Sequence, residues 1–469
     1  MKLKFCGADR EVTGSSHLLT MEDGYKILLD CGLYQGNEPH LEDFNERFLF
    51  KASDIDCVIL SHAHIDHCGR LPQLVKHGFT GRIYCTHATK ALTAILLADS
   101  AKIQEEDVKF YNKRQRKAKS PIRREPIYTL KDVYQTMKQF VSYGYEHHFA
   151  IHPKVNVLLR DAGHILGSAS VSLSIKESGR TLKLGFTGDI GRPNRPILRD
   201  PIPMPAADYI ICESTYGDKE HLAAPNEINT LREIIHQVCV ENKGKLIIPA
   251  FSVGRTQEII YMMDQLSNAG QLPSIPVYID SPLAINATDI FSAHPECFDE
   301  EMFEYLLKDA NPFGFHNLRY VREVSQSKRL NSFRGPSIII SASGMANAGR
   351  VKHHIFNNIE NPKNAVLIIG YCTPNSPGGI LRAGNKELKL FGQIKQVNAA
   401  VFVMDSFSAH GDRKEMTEFM QSHRQSAQKI FLVHGEIERQ ESFQNYLHQH
   451  GFENTKIVIP HLGDEVELH

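Results

Sequence analysis

The chain of 469 residues lacks any run of about eighteen apolar residues, the length that a membrane-spanning helix needs. Its first residues, MKLKFCGADREVTG, are typical of a short strand and a polar loop and not of a signal peptide. The nine cysteines are scattered singly, and no two of them form a CxxC pair. Such a set is typical of reduced thiols that serve as small buried apolar groups. We therefore expect a cytoplasmic protein with no membrane span.

An excess of charge of either sign is also missing, since 53 lysines and arginines stand against 54 aspartates and glutamates. This balance argues against a protein coated in basic charge, as a non-specific binder of duplex nucleic acid would be. Residues 109–124 (KFYNKRQRKAKSPIRR) are a local exception, with eight basic residues and no acidic one. Such a run is either a solvated surface or a contact for a phosphate backbone, and its composition leaves both readings open.

Tandem repeats and low-complexity tracts are absent too, so the order of strands and helices carries the information on domains. Short β-branched and apolar runs predict strands in the first 90 residues and again at 155–187. Between them, helices are expected at 90–110 and 130–143, on either side of the basic segment.

From residue 216 to 392 the pattern changes to strand, small-residue loop and helix, which predicts a mostly parallel sheet with helices on its faces. Strands resume afterwards, at 397–404 and 429–433. The pattern predicts a discontinuous first domain, residues 1–215 and 393–469, with an α/β domain, residues 216–392, inserted into it.

Ligand-type side chains are concentrated after one predicted strand, in VILSHAHIDHCG. From an extended loop, His62 and His64 can converge on one metal ion. Asp66 and His67 turn the other way and can serve a second ion. Imidazole nitrogen and carboxylate oxygen are ligands that zinc accepts, so the residue types suit this metal.

Three more candidates, His164, Asp189 and His434, stand at the ends of other predicted strands. Taken alone, each would most often cap a turn. Strand ends at one edge of a sheet converge, however, and together these residues complete the count for a dinuclear centre. That count is three histidines on one ion, an aspartate and two histidines on the other, and one bridging carboxylate.

The motifs around these residues resemble those of a known superfamily. HAHIDH, GHILGSA and FTGDIG are similar to motifs two to four of the metallo-β-lactamase fold, and KILLDCG, with Asp30, is similar to motif one. CESTYGD, FSAHGD and LVHGE resemble motifs A, B and C of the β-CASP branch, whose members process nucleic acids. PAFSVGRTQE and SASGM are further marks of that branch. The resemblance covers nearly the whole chain and is nearest to bacterial and archaeal RNA-processing proteins and to the eukaryotic pre-mRNA 3′-end endonuclease.

The resemblance implies an α/β fold, namely a metallo-β-lactamase αββα sandwich with an inserted α/β β-CASP domain that carries a mostly parallel sheet. It also implies two Zn²⁺ per chain, with no ligand position missing. Its assignments are His62, His64 and His164 to the first ion, Asp66, His67 and His434 to the second, Asp189 as the bridge, and Asp30 as the residue that orients the ligands.

The same resemblance implies hydrolysis of a phosphodiester by a water that the two ions activate, so Asp66 and Asp189 count as catalytic as well as ligating. Glu213 (motif A) and His410 (motif B) would form a hydrogen-bonded pair beside the metals. His410 is the natural general acid for the departing 3′-oxygen, and Glu213 would raise its pKa and fix its tautomer. The expected products carry a 5′-phosphate and a 3′-hydroxyl.

Two small-residue loops of the inserted domain are candidates for phosphate binding, because each exposes backbone N–H groups before a helix. Their candidate residues are Arg255, Ser343 and Arg350. An RNA-cutting site nearby would also favour contact between RNA and residues 109–124.

The predicted function is therefore a zinc-dependent ribonuclease that acts on single-stranded RNA in RNA processing or decay. The absence of a long C-terminal domain of the RNase J kind favours endonucleolytic cleavage, while 5′→3′ exonucleolytic cleavage stays open. A DNA nuclease of the same branch is the other alternative, although such proteins typically have a valine-like residue at motif C, where this chain has His434. The sequence leaves open whether the chain forms a homodimer and which RNA it cleaves.

Overall fold

The computed structural model describes residues 1–36, 38, 41, 43–177, 179–221, 226–370, 372–404 and 408–469. The chain divides into two compact units, one formed by Met1–Glu220 with Ala409–His469 and the other by His221–Ser408. Within these described ranges, no helix combines the length and the apolar character needed to cross a bilayer. All nine cysteines are buried, as the sequence predicts.

Two seven-stranded sheets form the first unit. Strands are numbered along the chain, and the first sheet has the order β22 (Glu465–Glu467), β1 (Lys2–Phe5), β2 (His17–Thr20), β3 (Lys26–Leu29), β4 (Cys57–Ile59), β5 (Arg82–Thr86) and β6 (Phe140–Tyr143). The second sheet has the order β21 (Lys456–Val458), β20 (Lys429–Val433), β11 (Tyr209–Glu213), β10 (Arg180–Phe186), β9 (Ala169–Glu177), β8 (Val155–Asp161) and β7 (His148–His152).

Helices cover the outer faces of these two sheets. Those of the first unit are α1 (Ile65–Cys68), α2 (Leu71–Lys76), α3 (His87–Lys117), α4 (Leu130–Met137), α12 (Arg413–Phe419) and α13 (Ile437–Gln449). Alternation along β20 illustrates the layering, since successive side chains of a strand point to opposite faces. Phe431 and Val433 join the core between the sheets, while Ile430 and Leu432 join the cluster under α12 and α13. A third cluster lies between the first sheet and α2 to α4. The predicted αββα order is confirmed.

The second unit contains a six-stranded sheet in which every strand pair is parallel. Its order is β14 (Leu318–Tyr320), β13 (Val277–Ile279), β15 (Ser337–Ser341), β12 (Lys245–Pro249), β16 (Ala365–Ile369) and β19 (Ala400–Met404), and a separate antiparallel hairpin joins β17 (Glu387–Leu390) to β18 (Gln393–Gln396). Its helices are α5 (Glu227–Ile235), α6 (Arg255–Asn268), α7 (Pro282–Ala293), α8 (Glu300–Leu306), α9 (Val324–Ser332), α10 (Gly349–Asn358) and α11 (Pro377–Arg382). The short helical turns of the chain are Ala52–Asp54, His236–Glu241, Pro295–Cys297 and Gln421–His423.

The structure differs from the sequence prediction in two elements of the first unit. The helix expected at 130–143 ends at Met137, and Phe140–Tyr143 is a strand because it pairs in parallel with β5. The helix expected at 90–110 begins at His87 and continues to Lys117, so much of the basic segment is helical.

The domain boundary drawn at residues 392 and 393 also differs from the structure. Strand β19 was assigned to the first domain, but it pairs in parallel with β16 and extends the sheet of the second unit. The second compact unit accordingly runs to Ser408.

Candidate metal centre

The loops after four strands bring the candidate ligands together in the first unit. In the second sheet, β8, β10, β11 and β20 all run in the same direction, because β9 is antiparallel to both β8 and β10. Their carboxyl ends therefore meet at one edge, where β8 is followed by His164, β10 by Asp189 and β20 by His434. The loop after β4 supplies the remaining four candidates, His62, His64, Asp66 and His67.

The first group consists of three imidazoles and one carboxylate. Nδ1 of His64 lies 3.1 Å from Nε2 of His62 and 3.1 Å from Nε2 of His164. Oδ2 of Asp189 lies 3.3 Å from Nε2 of His62 and 3.4 Å from Nε2 of His164. The four donor atoms thus face one common point.

The second group lies on the other side of Asp189. Nε2 of His67 and Nε2 of His434 are 3.1 Å apart, and Oδ2 of Asp66 lies 3.5 Å from the latter. The second carboxylate oxygen of Asp189, Oδ1, lies 3.3 Å from Nε2 of His67 and 3.7 Å from Nε2 of His434. One oxygen of Asp189 therefore faces each group, which is the geometry of a bridging ligand.

These spacings fit zinc. Ligands bound at about 2.0–2.1 Å in a tetrahedron lie roughly 3.3–3.4 Å from one another, which is close to most of the separations in both groups. Within each group, one potential ligand atom per residue can be chosen so that all of them lie within 4.8 Å of one another. Oδ1 of Asp189 is buried and accepts no hydrogen bond, so a cation would satisfy an acceptor that the described residues leave without one.

Burial keeps the imidazoles of the first group in the form that binds metal. It lowers the pKa of His62 to about 3 and the pKa of His64 to about 4, and it lowers that of His164 well below its ordinary value. Neutral imidazole has a free lone pair for a cation, whereas imidazolium has none. The first group is therefore ready to bind a cation at neutral pH.

Asp30 supports both groups from a fully buried position. Its Oδ2 accepts hydrogen bonds from Nδ1 of His67 at 2.6 Å and from the hydroxyl of Ser61 at 2.8 Å. The same hydroxyl lies 3.1 Å from Nδ1 of His62. Both imidazoles are thus held through Nδ1, which turns Nε2 toward the centre. The sequence singled out Asp30 but missed Ser61, the residue just before the first histidine.

Thr215 makes the matching contact to His434, and the sequence prediction missed it as well. Its hydroxyl lies 3.0 Å from Nδ1 and 3.1 Å from the carbonyl oxygen of His434. His434 has a left-handed backbone, with φ of 53°, and its N–H donates to the carbonyl of Ala8 at 2.7 Å. The backbone carbonyl of Ala409 lies 3.2 Å from Nδ1 of His164. The hint in the sequence was the position of Thr215 two residues after Glu213.

Glu213 and His410 lie beside both groups. Nδ1 of His410 is 3.1 Å from Oε2 and 3.2 Å from Oε1 of Glu213, and 4.0 Å from Oδ2 of Asp189. Glu213 is fully buried, and it also accepts the N–H of Ile190 at 2.5 Å. Burial alone would lower the pKa of His410, but the carboxylates of Glu213 and Asp189 more than offset this and raise it to about 9. Phe407, the first residue of FSAHGD, lies outside the described residues.

Two glycines let the loops that carry His164 and Asp189 touch. The N–H of Gly191 donates to the carbonyl of Ala162 at 2.7 Å. A Cβ at Gly191 would overlap the carbonyl oxygen of Gly163, so any side chain there would force the loops apart. The close approach of the two backbones keeps both ligands at the same point.

The three residues predicted to bind phosphate lie in the second unit, and two of them are engaged by other groups. Arg255 is buried and forms an ion pair with Glu258. Arg350 donates to Asp280 at 2.6 Å and to the backbone carbonyl of Arg322 at 2.7 Å. Ser343 donates its hydroxyl to Asn347 at 2.7 Å. Phosphate binding by these residues stays a prediction.

Known proteins share these features over almost the whole chain. Residues 9–227 match the metallo-beta-lactamase superfamily, residues 256–381 the Beta-Casp domain and residues 395–460 the Zn-dependent metallo-hydrolase RNA specificity domain. The chain is similar to ribonuclease TTHA0252 of Thermus thermophilus, with 32% identity over 439 residues that make up 94% of each chain. It is also similar to the transcription termination factor FttA of Methanocaldococcus jannaschii, with 30% identity over 93% of this chain and 67% of that protein. The chain belongs to the β-CASP branch of the metallo-β-lactamase superfamily.

Proposed function

We propose that this protein is a zinc-dependent phosphodiesterase that hydrolyses single-stranded RNA and leaves a 5′-phosphate and a 3′-hydroxyl. The observation that carries the proposal is the placement of Asp189, whose two carboxylate oxygens face two separate groups of ligand-type side chains. A shared carboxylate between two three-residue groups is the arrangement expected of a two-metal hydrolase.

Seven residues would hold the two ions. His62, His64 and His164 would bind one ion, Asp66, His67 and His434 would bind the other, and Asp189 would bind both. When bound, two such ions supply the Lewis acidity that makes water a nucleophile near neutral pH and neutralises charge on a phosphodiester.

The residues beside the ligands support proton delivery to the leaving group. Glu213 holds Nδ1 of His410, which leaves Nε2 to carry a proton to the departing 3′-oxygen. The raised pKa of His410 keeps the imidazole protonated at neutral pH, as a general acid requires. Asp30, Ser61 and Thr215 act only through the ligands, by holding the Nδ1 atoms of His67, His62 and His434.

RNA is the proposed substrate because two independent similarities agree on it. The relative with the same length of matched chain is named a ribonuclease, and the C-terminal segment matches a domain described as conferring RNA specificity. His434 contributes one of the donors of the second group. Endonucleolytic cleavage is part of the proposal and rests on the sequence alone.

Cleavage of matched substrates by the zinc-loaded protein tests this proposal. The set comprises a 5′-labelled RNA, a DNA of the same sequence, a circular form of the RNA, and a β-lactam. We expect cleavage of linear and circular RNA with 5′-phosphorylated products. Cleavage of DNA but not RNA, or of the lactam alone, would overturn the assignment of the substrate, and an intact circular RNA would overturn the endonucleolytic mode.

A further inference from the structure

Helix α3 has two halves with different surroundings. The N-terminal half packs into the core of the first unit, where Leu92, Leu97 and Ala101 are fully buried. Beyond Ala101 the helix continues to Lys117 without another buried residue. Packing against the core therefore does not account for the second half of this helix, although tertiary packing stabilises most helices of globular proteins.

The exposed end of α3 and the segment that follows it carry the eight basic residues of 109–124, which we call the basic arm. The chain as a whole has a formal net charge of −1, so the arm concentrates positive charge on a protein that is otherwise acidic. Lys109 lies 4.0 Å from the carboxylate of Glu105. In the described part of the chain, the other seven basic side chains of the arm form no ion pair with a carboxylate.

This arrangement costs stability by itself. Lys113 stands four residues after Lys109 and four before Lys117, and like charges at this spacing on a helix destabilise it by about 0.2–0.5 kcal/mol per pair. The partial negative charge at the helix C-terminus offsets some of this repulsion for the last turn, which holds Arg114, Arg116 and Lys117. It does not act on Lys109 or on the residues past the helix. A bound polyanion would remove the repulsion along the whole arm.

The segment after the helix folds back and adds its charges to the same surface. Backbone groups of Arg124 pair with the side chain of Asn112, at 2.9 and 3.0 Å, and the Arg124 guanidinium lies 4.4 Å from the centre of the Tyr111 ring. Phe110 is 73% exposed between these cations. Exposed aromatic rings among cations are a common device for binding single-stranded nucleic acid, because bases stack on the rings while cations hold the phosphates.

The other end of α3 is attached to the candidate metal centre. The hydroxyls of Thr86 and Thr89 donate to the carbonyl of Gly167, at 2.6 and 2.7 Å, in the loop that carries His164. At a rise of about 1.5 Å per residue, the helical part of the basic arm begins about 30 Å from Thr89 and ends about 42 Å from it. The helix therefore sets a fixed separation between the centre and the basic arm.

We propose that the basic arm binds the phosphate backbone of the RNA substrate at a distance from the cleaved bond, so that RNA length determines affinity. This inference rests on the proposed ribonuclease function. With stacked nucleotides spaced by about 3.4 Å, an RNA must extend roughly nine to twelve nucleotides from the cleaved bond to reach the arm. Shorter RNAs meet only the centre.

Two quadruple variants with the same change in net charge test this inference. The arm variant replaces Lys113, Arg114, Arg116 and Lys117 by Gln, which keeps a good helix former at each position. The control variant replaces Lys176, Arg180, Lys183 and Lys456, exposed residues of other strands in the same unit, by Gln. The measurements are KM and kcat of the zinc-loaded proteins on RNAs of 4 and 30 nucleotides, and the salt dependence of binding to the longer RNA.

For the arm variant we expect KM for the 30-nucleotide RNA to rise about tenfold or more at low salt. The slope of log K against log salt should shrink by about 2 to 3, since each lost contact with a single strand removes about 0.7. KM for the 4-nucleotide RNA, kcat, and hydrolysis of bis-p-nitrophenyl phosphate should stay unchanged, and the control variant should match the wild type throughout.

Equal changes in both variants would mean that net charge alone acts, and an unchanged salt slope in the arm variant would exclude the RNA backbone as the ligand. Loss of binding to polyglutamate with no change toward RNA would identify an acidic peptide instead, and would also overturn the inference. Equilibrium binding separates this outcome from failure of the proposed function. A wild type that binds long RNA through the arm but cleaves none would overturn only the ribonuclease assignment.

Discussion

Side chains that never touch a substrate hold the ligands of the candidate centre in place. Asp30, Ser61 and Thr215 each contact the Nδ1 atom of a histidine whose Nε2 faces the centre. Of these, Thr215 contacts only His434, in the second group of ligands. Partners of this kind typically change metal affinity about 10–100-fold when they are removed.

Replacing Thr215 by Val removes the hydroxyl at almost constant volume and should weaken the second zinc ion selectively. We expect its dissociation constant to rise about 10–100-fold while that of the first ion stays the same. Competition with a chelating dye that resolves the two affinities provides the measurement. Thr215→Ser keeps the hydroxyl and should behave like the wild type. Equal weakening of both ions in Thr215→Val would show a general loss of structure and contradict the assigned role.

His410 should separate acid catalysis from metal binding. Because its protonated form is the general acid, RNA cleavage should fall as the pH rises through the pKa of His410, which the neighbouring carboxylates raise to about 9 and which bound cations would lower. His410→Ala should keep two zinc ions, slow RNA cleavage by about 10²–10⁴-fold and abolish this alkaline decline. Bis-p-nitrophenyl phosphate, whose leaving group needs no proton, should lose far less activity. An equal loss on both substrates, or loss of one zinc ion, would refute the acid role.

At the scale of elements, Asp280, after β13, joins three helices or loops of the second unit. Its fully buried carboxylate accepts hydrogen bonds from Arg350 at 2.6 Å, His354 at 2.6 Å and Ser327 at 2.5 Å. Burial alone would raise the pKa of Asp280, but these donors lower it below its usual value. Arg350 was predicted to bind phosphate, and its contacts support a structural role instead.

Arg350→Ala should lower the free energy of unfolding by about 3–5 kcal/mol, because it leaves part of a buried charge uncompensated. Arg322→Ala is the matched control, since Arg322 is half exposed and its ion pair with Asp289, at 3.5 Å, should contribute less than about 1 kcal/mol. Urea unfolding of both variants provides the comparison. If Arg350→Ala had wild-type stability and a raised KM for RNA, phosphate binding would be the better explanation.

Sequence reasoning succeeded for elements and residues whose signals are local. The dense HAHIDH motif identified four ligands, and the strand–loop–helix alternation identified the parallel sheet. It failed where distant pairing decides. Phe140–Tyr143 is a strand only because β5 lies beside it. Thr215 reaches His434 only because Glu213 of β11 pairs with Val433 of β20, more than two hundred residues away, and no local pattern encodes that register.

At the scale of the whole molecule, the chain leaves the first unit after Glu220 and returns to it at Ala409. The change in sequence rhythm predicted this insertion, but the end of the inserted segment was misplaced, because β19 carries no local mark of the sheet it joins. The return supplies His410 and His434 to a centre whose other ligands lie before residue 190. The candidate centre is therefore complete only when both parts of the first unit are folded together.

The central claim is that two zinc ions act together in RNA cleavage. Titrating zinc into the metal-free protein, while following cleavage of a 30-nucleotide RNA, tests it most directly. We expect activity to appear with the second equivalent of zinc, since each group of ligands binds one ion and Asp189 joins them. Full activity at one equivalent, or no activity at two, would contradict the dinuclear centre.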